Sequence, residues 1–198
     1  MNILATHQRA NFQNILFATD FSSTANLALP YAVEIARRSG GTIHAVHVIS
    51  PEINPLVPPE AWSQMDREEQ DFRGRELRKL EAELQGLPHE FLLLKGDIWE
   101  NLSRTIKEKQ IDLLVLGTHG RTGIEKALLG STAERIFRQA SCPVLSVGPH
   151  VSIRATHAAA AELNCILFAT DFSPESFAAA RQAIYLAKDH HADLVLLH

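Results

Sequence analysis

The sequence predicts an α/β fold built on an open parallel sheet of five strands, with helices on both faces. Short aliphatic runs alternate with longer amphipathic stretches, which is typical of buried parallel strands joined by helices. The octapeptide ILFATDFS at residues 15–22 recurs unchanged at 166–173, so the chain contains an internal repeat. Because each strand is followed by a helix, right-handed crossovers and a parallel sheet are expected.

The elements follow in order along the chain. Ser22 is suited to cap the first helix and Gly40-Gly41 to end it, whereas Pro30 inside that helix predicts a bend or a late start. The predicted strands are 14–19, 42–49, 90–94, 111–116 and 142–147, and the predicted helices are 22–39, 60–84, 98–109 and 131–140. Pro143, near the start of the fifth strand, favours an edge position for it.

The repeat divides the chain into parts. Residues 11–149 are predicted to form one complete domain, 150–162 a linker, and 163–198 the opening strand, helix and strand of a second, truncated copy. Such a piece cannot bury both faces of its own sheet. It packs on the first domain, pairs with another molecule, or belongs to a longer tandem protein, and we favour the last of these.

Composition narrows the functional class. The 198 residues are 45% hydrophobic and 21% charged, with a net charge of −4, so no basic surface for nucleic acid or anionic membrane is indicated. No apolar run reaches the length of a membrane span. Cys142 and Cys165 both lie in apolar runs and are expected to be small buried residues. We therefore expect a cytoplasmic protein.

A loop rich in glycine follows the fourth strand. Gly117 and Gly120 are followed by Gly130, Ser131 and Thr132 at the start of a predicted helix. Glycines allow backbone N–H groups to approach an anion, and the first turn of a helix adds unpaired donors. This pattern indicates a phosphate site. The alternative is an ordinary turn with a capped helix.

A second polar segment, Thr19-Asp20-Phe21-Ser22, follows the first strand. If the first and fourth strands are neighbours, as in the strand order 3-2-1-4-5, both segments open onto one crevice at the carboxyl edge of the sheet. Asp20 would then accept hydrogen bonds from ribose hydroxyls. The competing interpretation is that Asp20 helps to cap the helix that follows.

These residues resemble the universal stress protein family. The likeness rests on residues 14–22, on His47-Val48, and on the spacing of Gly117, Gly120 and Gly130-Ser131. It covers about residues 11 to 149 in full. The resemblance implies a Rossmann-like, adenine-nucleotide-binding sheet. It also implies pairing through the edge of the fifth strand, either in a homodimer or between tandem copies.

The resemblance also implies which residues bind nucleotide. It assigns adenine and ribose contacts to Ala18, Asp20 and Val48. It places ribose and phosphate contacts at Gly117, His119, Gly120, Gly130, Ser131 and Thr132. The neighbouring residues of the predicted site are Thr19, Leu116, Thr118 and Arg121. Ala133 departs from the pattern, since nucleotide-binding members often carry Ser or Thr there. The missing hydroxyl contact predicts ATP binding weaker by about 1 kcal/mol.

The predicted function is therefore that of a stress-response regulator that binds ATP, ADP or AMP, with Mg²⁺ as a companion of ATP. Weak ATP hydrolysis is one alternative, for which Asp20 and His119 are the available general bases. A dimeric scaffold without nucleotide is another. No catalytic or metal site is predicted. His44 and His47 lie three apart on a strand and so point to opposite faces, which is poor geometry for a shared metal ion.

Overall fold

The computed structural model describes residues 12–50, 59–118, 131–148, 151 and 163–198. The strands of the larger sheet are β1 (Asn14–Ala18), β2 (Thr42–Ile49), β3 (His89–Lys95), β4 (Leu113–Gly117) and β5 (Val144–Val147). The helices of this part are α1 (Ser23–Ser39), α2 (Pro59–Glu83), α3 (Ile98–Glu108) and α4 (Ser131–Gln139). All pairings are parallel and the order is β3-β2-β1-β4-β5. The predicted fold class and strand order are confirmed.

The two faces of the sheet carry separate hydrophobic clusters. Ile15 and Phe17 point to one face, where they are buried in the same cluster as residues of α1 and α2. Leu16 points to the other face and is buried with Leu102 of α3 and Ile136 of α4. Alternation along β1 therefore places helices on both sides, as expected for a strand in the middle of a parallel sheet.

Helix α1 is continuous from Ser23 to Ser39 and includes Pro30, so the predicted late start is wrong, whereas the predicted bend stays a prediction. Ser22 caps the helix by accepting a hydrogen bond from the Ala25 N–H, and Gly40 ends it with φ of 69°. Proline removes one backbone hydrogen bond from the helix interior. Burial of the neighbouring face, which includes Ala28 and Ala32, offsets that loss.

A polar cluster lies at the amino end of the sheet. His44 Nδ1 lies 2.6 Å from Glu90 Oε1, and His44 Nε2 lies 3.3 Å from Asn14 Oδ1. The Lys109 ammonium is 2.6 Å from the same Glu90 oxygen. The Lys109 hydrogen bond, followed by that of His44, lowers the pKa of Glu90. Burial instead raises the pKa of Asp112, beside the start of β1.

Glu90→Gln is expected to reduce the loss in the free energy of unfolding that occurs as the pH falls. A lowered folded-state pKa means that Glu90 contributes stability above its unfolded pKa of about 4.5 and loses it as pH falls through the folded value. Because the carboxylate is 36% exposed, the contribution is on the order of 0.5 kcal/mol. Urea unfolding between pH 3 and pH 7 measures it. Glu108→Gln, which removes an exposed carboxylate from α3, is the control, and an equal change in both variants would contradict the prediction.

Residues 163–198 form a smaller unit, here called the 163–198 segment. It consists of β6 (Cys165–Ala169), α5 (Pro174–His190) and β7 (Asp193–Leu197), with β6 and β7 paired in parallel. Helix α5 contacts both strands, but Leu167 of β6 is 60% exposed and every residue of β7 is exposed. Cys165 is also exposed, so the prediction that it is buried is wrong. Cys142 is half-buried, which raises the pKa of its thiol.

The 163–198 segment packs against α1 and the adjoining sheet. A small apolar cavity is lined by Phe12, Ile35, Leu145, Leu163 and Leu186, with three further residues. Phe12 and Leu163 occupy corresponding positions in the two copies of the repeat, as do Ile35 and Leu186. Two pairs of equivalent positions therefore line the contact between the two copies.

In the described residues, the edge of β5 forms no strand pairing between the two copies. Within the described ranges β5 pairs only with β4, and β6 pairs only with β7. Pairing of copies through the β5 edge stays a prediction. None of the described helices combines the length and the apolar character needed to cross a membrane.

Candidate functional site

Two polar segments leave the sheet side by side at its carboxyl edge. Ala18, the last residue of β1, stands in register with Leu116 of β4. The chain continues beyond this level on both strands, since the Thr19 N–H donates to Val46 O at 2.9 Å and the Thr118 N–H donates to Val147 O at 3.0 Å. Asp20 and Thr118 therefore follow neighbouring strands at the same edge, which is where ligands bind in open α/β sheets.

The Thr19–Ser22 turn is held by hydrogen bonds to its own side chains. Thr19 Oγ1 accepts from the Phe21 N–H, and Asp20 Oδ1 accepts from the Ser22 N–H, each at 2.9 Å. Phe21 has a φ of 60°, in the left-handed region. Ser22 is the capping residue of α1. Capping of α1 is thus provided without Asp20, whose carboxylate stabilises the turn before the helix.

Gly117 has a packing role that the sequence interpretation missed. A Cβ added at this position would lie 2.8 Å from the carbonyl carbon and oxygen of Thr24 and 2.9 Å from the Ala25 nitrogen. Strand β4 therefore passes too close to the first turn of α1 for any side chain. The closeness of these two backbones explains this glycine without a ligand, and its predicted contact with nucleotide remains a separate prediction.

Only part of the predicted glycine loop can be described. His119, Gly120, Arg121 and Gly130 lie outside the described residues. Helix α4 begins at Ser131, and Thr132 in its first turn is exposed. The next residue, Ala133, is buried in the same cluster as Ile136 and Leu116. Its small apolar side chain therefore fits the core on this face of the sheet.

Ala18 and Val48 lie on the same side of the sheet. Both are partly buried against the cluster that contains Leu16, together with Leu94, Ile98 and Trp99. This is the α3/α4 side, whereas Phe21 is buried in the α1/α2 cluster. The predicted adenine contacts thus share one face.

The junction of β3 and α3 also reaches the carboxyl edge and was not predicted. Gly96 has a φ of 116°, and Asp97 caps α3 by accepting from the Glu100 N–H at 2.8 Å. Arg135 of α4 lies 3.1 Å from Asp97, which ties the starts of α3 and α4 together. The Glu100 N–H and, to a lesser degree, Arg135 lower the pKa of Asp97. The pair Gly96-Asp97 before an amphipathic helix is the sequence signal that could have indicated this junction.

The same turn is formed a second time in the 163–198 segment. Thr170 Oγ1 accepts from the Phe172 N–H and Asp171 Oδ1 accepts from the Ser173 N–H, again at 2.9 Å, and Phe172 has a φ of 60°. Hydrogen bonds from Ser173 lower the pKa of Asp171 to about 2. The same turn therefore forms in both copies of the octapeptide. Within the 163–198 segment it has no glycine loop beside it.

Comparison with known proteins assigns the chain to a family. The sequence model of the universal stress protein family matches residues 11–148 and again 163–198. The chain belongs to the universal stress protein family. A family member from Methanocaldococcus jannaschii is 33% identical over 142 residues, covering 69% of this chain and 82% of the relative. One from Mycolicibacterium smegmatis is 28% identical over 196 residues, covering 96% of this chain and 65% of the relative.

Solved structures of the family share the fold. A structure of the M. jannaschii protein MJ0577 has 25% identity and a TM-score of 0.61, and the match covers 72% of this chain and 99% of that one. A universal stress protein in complex with cAMP has 21% identity and a TM-score of 0.51, covering 70% and 98%. A member from Archaeoglobus fulgidus matches 92% of this chain and 64% of its own length, with 20% identity and a TM-score of 0.68.

Proposed function

We propose that this universal stress protein binds an adenine nucleotide at the carboxyl edge of the larger sheet and acts as a regulator in the stress response. The observation that supports the proposal is the register of β1 with β4, which brings the Asp20 turn beside Gly117-Thr118. The Asp20 carboxylate would accept from ribose hydroxyls. The segment from Gly117 to Thr132 would hold the phosphates through backbone N–H groups and hydroxyls.

The proposal extends to the setting of the protein. ATP would bind with Mg²⁺, and ADP, AMP and cyclic AMP are further candidates, the last because a solved family structure carries it. We propose a cytoplasmic location, a second repeat beginning at residue 163, and pairing of copies through the β5 edge.

Isothermal titration calorimetry with the four nucleotides tests the central claim, that the protein binds an adenine nucleotide. No heat and no thermal shift at millimolar nucleotide would contradict it.

Asp20→Asn is expected to weaken ATP binding by about tenfold to a hundredfold. The amide keeps an oxygen for the Ser22 N–H but loses the charge, and hydrogen bonds to charged groups contribute about 1.5–3 kcal/mol. Calorimetry measures the dissociation constant. Asp171→Asn is a matched control, because Asp171 makes the same hydrogen bond within the same octapeptide. Equal weakening in both variants, or none in Asp20→Asn, would contradict the assignment of Asp20.

Weak ATP hydrolysis is measured in the same samples as released phosphate. Release that persists in the double variant Asp20→Ala, Gly120→Val would come from a contaminant. If the double variant loses both phosphate release and ATP binding, hydrolysis is instead added to the proposed function.

A further inference from the structure

His47 forms a clamp on the Thr19–Ser22 turn. The His47 side chain is buried on β2, and its Nδ1 lies 2.8 Å from the Thr19 carbonyl oxygen. A carbonyl oxygen only accepts hydrogen bonds, so Nδ1 carries the proton. The centre of the imidazole ring also lies 4.6 Å from the centre of the Phe21 ring. One side chain therefore contacts the residues on both sides of Asp20.

The turn needs such support because of Phe21. A residue with a Cβ is disfavoured in the left-handed region, and such a conformation persists where surrounding contacts over-determine it. The Phe21 N–H is satisfied by Thr19 Oγ1, and the Phe21 ring has two aromatic neighbours, His47 and Phe72, the latter with its ring centre 6.4 Å away. Without the imidazole, the Thr19 carbonyl loses a donor and the Phe21 ring loses one of its neighbours.

The 163–198 segment repeats the clamp. His198 Nδ1 lies 2.9 Å from the Thr170 carbonyl oxygen, and its ring centre is 4.4 Å from that of Phe172. Phe172 is 51% exposed, whereas Phe21 is buried. The same histidine–carbonyl–phenylalanine geometry thus forms in two different environments. Core packing alone does not account for it.

We propose that His47 is a positioning residue of the nucleotide site, which holds the Asp20 carboxylate toward the ligand by fixing the residues on either side of it. This inference rests on the proposed function. His47 itself need not contact the nucleotide. It acts on Thr19 and Phe21, and through them on the direction of Asp20.

Three variants of the full chain test the inference. His47→Phe keeps an aromatic ring against Phe21 but removes the donor, and we expect ATP to bind about tenfold more weakly. His47→Asn restores an N–H close to the position of Nδ1, so its ATP affinity should return to within about threefold of the original protein. His198→Phe removes the same donor from the other copy of the clamp and should leave ATP affinity unchanged.

Calorimetry with ATP tests the three variants, and nuclear magnetic resonance provides a separate test on the unsubstituted protein. Unchanged affinity in His47→Phe, failure of the folded His47→Asn to restore it, or an equal loss in His198→Phe would each overturn the proposal. The ¹⁵N chemical shifts of His47 in the unsubstituted protein report its tautomer. This measurement does not depend on whether a variant folds. An unprotonated Nδ1 would also overturn the proposal.

Failure of the proposed nucleotide binding would give a different result from failure of the clamp. If the unsubstituted protein binds no ATP, the nucleotide proposal fails. The clamp on the turn is then judged by the Phe21 backbone coupling constants, which should report a positive φ in the original protein and its loss in His47→Phe. A positive φ retained in His47→Phe would remove the clamp as well.

Discussion

Replacing Leu16 with alanine is expected to lower the free energy of unfolding by about 2–5 kcal/mol, the usual cost of removing a buried leucine side chain. Leu16 is 0% exposed and lies between the sheet and helices α3 and α4, where it is clustered with Leu102 and Ile136. Loss of its side chain leaves a cavity that the strands on either side of β1 prevent from collapsing. Urea unfolding followed by circular dichroism measures the change.

Leu167→Ala provides a control in the same local sequence. Leu167 occupies the corresponding place in the repeated octapeptide, but it is 60% exposed because no described element covers that face of β6 and β7. We expect its substitution to change the free energy of unfolding by no more than about 0.5 kcal/mol. Similar losses in the two variants would show that an equivalent cover exists over the β6–β7 face.

Gly117→Ala is expected to destabilise the protein by about 1–3 kcal/mol, as overpacking of a tight contact does. The new Cβ would meet backbone atoms of Thr24 and Ala25 at less than 3 Å, and backbone in the first turn of a helix cannot rotate aside as a side chain can. Strand β4 and helix α1 must move apart. Thermal unfolding of the variant, without nucleotide, measures the effect.

Gly148→Ala separates this clash from a general cost of losing glycine. A Cβ at position 148 would make an ordinary contact of 3.9 Å with Thr118 Oγ1. Its midpoint of unfolding should stay close to that of the original protein, whereas a shift equal to that of Gly117→Ala would argue against the clash. Because Gly117→Ala alters the fold, a loss of ATP binding in that variant would not by itself identify a phosphate contact.

The sequence predicted most of the elements that position the site, because their signals are local. Ser22 and Gly40 were recognised as the ends of α1 from their capping chemistry, and aliphatic runs indicated the strands. Pro30 led us to expect a late start for α1, but the helix begins at Ser23, since the local penalty of the proline is outweighed by burial of the helix face that carries Ala28 and Ala32. Propensity is a weak prior when tertiary packing opposes it.

The candidate site was predictable where it depends on strand ends and not where it depends on distant contacts. The adjacency of β1 and β4, on which the crevice depends, was expected as part of a common strand order and is observed. The clamp by His47 was not foreseen, because it joins two strands through a carbonyl oxygen 28 residues away in sequence. The packing reason for Gly117 was missed for the same cause, since the atoms that exclude a side chain belong to α1.

The two copies of the octapeptide show which features follow from the local sequence and which require the rest of the fold. In both copies the turn has the same internal hydrogen bonds, because those bonds join residues two positions apart. Burial differs completely between Leu16 and Leu167. Hydrogen bonds within a turn depend on its own side chains, whereas burial depends on which other elements of the chain reach that face of the sheet.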